Sequence, residues 1–192
     1  VGDQLEKVYT QLGEVQNLAK EVGSLEKVLT NVKTRGVWGE LQAERILQDM
    51  LLPEQYIKNA VTKAGSSYYV EFAIKLPGQN NSPVLLPIDS KFPKEDYEKL
   101  LLGWENNSSE SIALLKKSLK NRILSEAKDI CEKYSDVPNT TDFAILFLPV
   151  EGLYAEVLSY SGLQEEVQRK YHVMIAGPTT LASLLNSLQM GF

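Results

Sequence analysis

The chain has 192 residues, 43% of them apolar and 23% charged, enough for one globular domain with a good core. A net charge of −5 excludes a protein that coats nucleic acid with its whole surface, although not a local basic track. A single cysteine, Cys131, excludes an internal disulfide framework and fits a reducing, cytoplasmic compartment; with His172 the only histidine, a Cys/His zinc cluster is excluded too. No apolar run of about 18 residues and no signal-peptide pattern occurs, so no membrane contact is expected of this chain. Val1 stands first, without an initiator Met, and the chain reads as a fragment of a longer one.

Residues 3–33 place Leu5, Val8, Leu12, Val15, Ala19, Val22, Leu25, Leu29 and Val32 at steps of three and four. This predicts a coiled-coil-like arm over 1–33 through which copies would associate, or a helix docked on its own domain. An α/β domain should fill 34–192. Its first helix is predicted from about Gly36 to Leu52, stopped by Pro53, with Trp38, Leu41, Arg45, Ile46 and Met50 marking the buried side and Glu40 beside it. Residues 56–62 form a strand candidate, followed by strand-like runs at 69–76 and 84–91 around a Pro77-to-Pro83 turn. A short helix at 94–102, a polar break at Asn106–Ser109 and a long helix from Ser109 to Tyr134 come next. The long helix carries the apolar stripe Ile112, Leu115, Leu119, Ile123, Ala127 and Ile130. Its other face holds Lys116, Lys117, Lys120, Arg122, Lys128 and Lys133, interrupted by Glu126, Asp129 and Glu132, which reads as a solvated face or a DNA-backbone track. Asp142–Leu148 is a near-continuous apolar strand, followed by Glu151 and a helix over 154–160. Residues 172–177 form the last strand. Pro178 and Thr179 open a helix through Leu188, at a first turn suited to phosphate or simply to starting a helix.

The hairpin carries the chemistry. By strand parity Val70, Phe72, Ile74 and Leu76 share one face while Glu71 and Lys75 take the other; on the second strand Leu86 and Ile88 are apolar, and Asp89 and Lys91 lie opposite them. If Leu76 pairs with Val84, Glu71 faces Asp89. Two like charges across strands destabilise a sheet, and a hard divalent cation with oxygen ligands, Mg²⁺ or Mn²⁺, would neutralise them.

Asp89-Ser90-Lys91 with an acidic residue on the neighbouring strand resembles the PD-(D/E)xK arrangement of restriction-endonuclease-like phosphodiesterases. The wider chain resembles the RmuC family of DNA recombination proteins in five ordered blocks. They are Arg35-Gly-Val-Trp-Gly-Glu40, Leu76-Pro-Gly78, Ile88-Asp-Ser-Lys91, Asp142-Phe-Ala-Ile-Leu-Phe-Leu-Pro-Val-Glu151 and Gly177-Pro-Thr-Thr-Leu181. Where that family has Pro-Asp this chain has Val70-Glu71, keeping a carboxylate one methylene longer. The resemblance implies a restriction-endonuclease-like core, a mixed sheet flanked by helices, and a metal-dependent deoxyribonuclease acting in recombination or genome maintenance. Glu71, Asp89 and the Ser90 carbonyl would hold the metal with Glu40 as a further ligand, and Lys91 would orient water or stabilise developing charge. Arg35 and Lys75 would contact flanking phosphates, with Glu151 and Thr179 as further candidate contacts. The parent protein would carry an N-terminal membrane anchor. Two other readings stand beside this one: a non-cleaving DNA-binding or scaffolding module on the same fold, and an assembly protein whose working part is the helical arm.

Overall fold

The computed structural model describes residues 32–106 and 109–191. The arm expected over 1–33 lies outside them but for its last two residues. The chain divides into a unit of Val1–Trp38 and a larger unit of Gly39–Phe192, which holds the sheet.

Helix α1 (Val32–Met50) leads to strands β1 (Tyr56–Ala60), β2 (Val70–Leu76) and β3 (Val84–Ser90). Helices α2 (Lys94–Glu105) and α3 (Ser109–Tyr134) precede β4 (Ala144–Phe147), α4 (Glu151–Ser159) and α5 (Leu163–Tyr171), and β5 (Val173–Ala176) and α6 (Pro178–Gly191) close the chain. The five strands lie in sequence order in one mixed sheet. β1, β2 and β3 pair antiparallel; β3, β4 and β5 run parallel. The α/β class, the mixed sheet and the flanking helices agree with the sequence reading.

Local chemistry explains most boundaries. Pro53 ends α1 and begins a single 3-10 turn. The β2–β3 connection uses Asn80 and Asn81 at φ of 58° and 61°, a left-handed conformation asparagine tolerates. β1 stops at Ala60, short of the expected Thr62, because the Thr62 hydroxyl donates to the Tyr134 carbonyl at 2.7 Å and carries the chain off the sheet. Helix α5 was not anticipated. It lies between left-handed Gly162 and His172, buries Leu163 and Val167 one turn apart, and carries acids in its first turn and bases in its last, matching the helix dipole.

Both faces of the sheet are buried. On one, Phe72, Ile74, Leu86, Ile88, Ile145 and Phe147 pack with Ala43 and Leu47 of α1 and Leu181 and Leu185 of α6. On the other, Ala73, Leu146, Val173 and Ile175 pack under α2–α5, with Leu119, Ile123, Ala127 and Ile130 of α3 as expected from its stripe. Each fully buried Leu, Ile or Phe contributes about 1.5–3 kcal/mol. Parity puts Glu71 on the α3 side, so the face it points to is a second apolar layer rather than a polar surface. Val70 also belongs to that layer, contrary to strict alternation. It pairs with Ala60 beside Asn59, whose φ of 53° breaks the regular pleat.

The expected buried side of α1 holds for Ile46 and Met50, which pack against the core, but needs correction elsewhere. Leu41 is 53% exposed and Arg45 is exposed, whereas Gly39, Ala43 and Leu47 form the inward stripe at steps of four. A Cβ on Gly39 would stand 2.9 Å from Ser90 Oγ and 3.5 Å from Pro149 Cγ, so the missing side chain lets α1 lie directly on the ends of β3 and β4. Gly39→Ala should therefore lower unfolding free energy by about 1–2 kcal/mol in denaturant titrations, through overpacking, and adding Ser90→Ala should restore most of it.

Candidate active site

The β2–β3 register is the one that the hairpin reading requires. Leu76 pairs with Val84 and the ladder continues to Phe72 with Ile88, so one further step sets Glu71 against Asp89. Asp89 is only 4% exposed, being also covered on its other edge by β4, where it pairs with Leu146. The Ser90 amide donates to Glu71 Oε2 at 2.8 Å, tying the two strands through the carboxylate itself. Lys91 leaves the strand but stays anchored, its amide donating to the Phe147 carbonyl at 2.9 Å.

The charges are then unbalanced. Burial, reinforced by Asp89, pushes Glu71 up to about 8; the Ser90 amide pulls back and Glu40 adds a further rise. Burial also raises Asp89, with Lys91 opposing. Burial alone would lower Lys91, but the carboxylates of Asp89 and Glu126 hold its ammonium above the ordinary lysine range. The ammonium stands 3.2 Å from Asp89 Oδ2 and 3.3 Å from Glu126 Oε2. Its contact with Asp89 is an ion pair rather than an aligned hydrogen bond, since Oδ2 is buried with no hydrogen-bond partner of good geometry. Both acids therefore hold a proton more readily than a free carboxylate does, and the Lys91 ammonium opposes this chiefly at Asp89.

Of the residues expected at the site, Glu71, Asp89, Ser90 and Lys91 come together. Glu40 is half-buried on α1 and acts on Glu71 through its charge. Among the described residues, no three Asp, Glu, His or Cys side chains form a ready-made metal cage. Lys75 lies four residues along β2 from Glu71, about 13 Å at strand rise, and lines a separate cleft of about 370 Å³ with Glu54, Gln55 and the hairpin turn. Glu151 and Thr179 meet each other: the Thr179 amide at the start of α6 donates to Glu151 Oε1 at 2.6 Å. They follow β4 and β5, at the same end of the parallel strands as Lys91. Arg35 belongs to the Val1–Trp38 unit.

Three contributors were not anticipated. Glu126, read as a mere interruption of a basic face, reaches Lys91; Lys133 acts on Asp89; and Tyr134, whose hydroxyl proton is held above its ordinary range by burial and then by Asp89, ends the stripe beside them. The available signal was position: Glu126 directly precedes Ala127, which is fully buried.

The RmuC family model matches residues 1–192. The chain belongs to the RmuC family. It is 50% identical to a DNA recombination protein RmuC homolog of Xylella fastidiosa, across the whole of this chain and 42% of that protein. Similar proteins of the same description occur in Chlamydia trachomatis, at 32% identity over 90% of this chain and 38% of the relative, and in Pseudomonas aeruginosa, at 25% over 95% and 39%. The chain thus spans about two-fifths of the length of these RmuC relatives. No solved structure matches it. Among the described residues of this RmuC member, no helix is long and apolar enough to cross a membrane.

The buried pair makes stability depend on pH. Glu71 binds its proton more tightly folded than unfolded, where its value is the ordinary 4.5, so the proton-linked stability is full below about pH 4.5 and is lost as pH rises through about 8. In buffer free of divalent ions, unfolding free energy should fall by an amount on the order of 5 kcal/mol across that window. Glu71→Gln should flatten the profile, as read by denaturant melts at several pH values.

Proposed function

We propose that this chain carries a divalent-metal-dependent DNA phosphodiesterase site and serves in genome maintenance, through the DNA recombination named for its RmuC relatives. The observation that carries the reading is the buried Glu71–Asp89 pair with Lys91 beside it. Two carboxylates facing one another in the centre of a sheet are a poor choice for stability. Their hard oxygen donors suit Mg²⁺ or Mn²⁺, ions that take oxygen ligands.

Glu71, Asp89 and the Ser90 carbonyl would hold the ion, with Glu40 contributing field from α1. When bound, the ion supplies Lewis-acid polarisation of a phosphodiester and makes water a better nucleophile at neutral pH. Loading would require both carboxylates to be ionised, and burial of Asp89 keeps bulk water from its carboxylate. Lys91 provides a positive charge beside the position where negative charge develops, which stabilises that charge without reorganisation. The restriction-endonuclease-like reading of the fold is consistent with the order β1-β2-β3-β4-β5 and with these residues lying on adjacent strands.

One observation favours a second reading, a non-cleaving DNA-binding or scaffolding module: Lys91 already neutralises Asp89, so the site holds together without a cation. The deciding experiment titrates Mg²⁺ or Mn²⁺ into the full chain and assays linear, single-stranded and branched DNA. Metal-dependent cleavage that falls at least about a hundredfold in Asp89→Ala supports the nuclease reading. Cation binding without cleavage of any substrate supports the module, and an absence of binding removes the metal site altogether.

A further inference from the structure

Lys91 is held by carboxylates from two different layers of the molecule. Asp89 lies two residues back on the sheet and belongs to the pair proposed to take a cation. Glu126 comes from α3, and its carboxylate is 3.3 Å from the same ammonium. Its backbone is stiffly placed, since Ile123, Ala127 and Ile130 on either side of it are buried in the core. Lys91, by contrast, carries its charge on a flexible stem that is costly to order. A cation drawn to Asp89 would compete with the ammonium for Oδ2 and repel it. With Asp89 as its only partner, Lys91 would then swing out to solvent.

We infer that Glu126 is the positioning residue for Lys91: it retains the ammonium over the carboxylate pair when a divalent ion takes Asp89. This rests on the metal-site reading above and adds to it the element that keeps Lys91 in place. Lys91 changes partner rather than position. In the metal-free protein it bridges Asp89 and Glu126; with the ion bound it pairs with Glu126 alone. A merely structural role for Glu126 would make the helix more stable but would not link Lys91 exposure to metal.

The test is amine-labelling of Lys91, read by peptide mass spectrometry, in the full chain with and without Mn²⁺, whose binding is followed separately by its electron paramagnetic resonance. In the wild type, Mn²⁺ should change the labelling rate of Lys91 by less than about twofold. In Glu126→Gln, Lys91 should remain protected without metal and become about fivefold or more faster to label on Mn²⁺ addition. Glu126→Asp, which keeps the charge on a shorter stem, should lie between them and serves if the glutamine variant folds poorly. On cleaved DNA, Glu126→Gln should lower kcat with KM little changed, and should add no further loss to Lys91→Met. Labelling that rises with Mn²⁺ in the wild type, or stays unchanged in Glu126→Gln while Mn²⁺ binds, overturns the role of Glu126 and leaves the metal site standing. Failure of the wild type to bind Mn²⁺ removes both.

Discussion

The local structure around β2 and β3 turns on the apposition of Glu71 and Asp89 inside a sheet covered on both faces. In water, two carboxylates at this spacing would cost little. Beneath α3 they cannot both stay ionised without a compensating charge, and the protein supplies only part of one. The Ser90 amide, the Lys91 ammonium and the raised proton affinity of Glu71 are three partial answers to the same imbalance. A β-branched or aromatic pair at these two positions would make a more stable hairpin. That the sheet keeps acids there is the strongest physical argument for a working site.

The layers around the pair serve to immobilise it. β3 is the hinge of the topology, antiparallel to β2 on one side and parallel to β4 on the other, so Asp89, one step past the last β2–β3 pair, is fixed by its pairing with Leu146 while Lys91 is released just beyond the strand. α1 closes on the end of β3 through Gly39, and α3 brings Glu126 from the opposite face. Three elements far apart in sequence thereby fix three charges within a few ångströms.

Much of this was legible from residue order. The hairpin register followed from period-two alternation and a proline- and glycine-bearing turn, and the stripe of α3 from its steps of three and four. Both signals are local. What stayed hidden depends on tertiary packing. Alternation on β2 shows that Glu71 avoids one core but not that a second core lies on its own side. On α1 the large residues Trp38 and Leu41 drew the inward face, whereas the real stripe uses Gly39 and Ala43 because close approach to Ser90 rewards small side chains. Glu126 was invisible because an acid on a long charged helix is ordinarily solvated, and only the lysine arriving from the sheet distinguishes it from Glu132. The expected arm lies outside the described residues.

The contact between Glu151 and the Thr179 amide has a mechanical consequence. Glu151 opens the helix that follows β4 and Thr179 is the second residue of the helix that follows β5, so the carboxylate of one βα turn satisfies an otherwise orphaned donor of the next and meets the positive end of its dipole. The two turns are stitched into a single rim at the ends of β4 and β5. One carboxylate thereby ties together two turns that the strand ladders alone would leave separate.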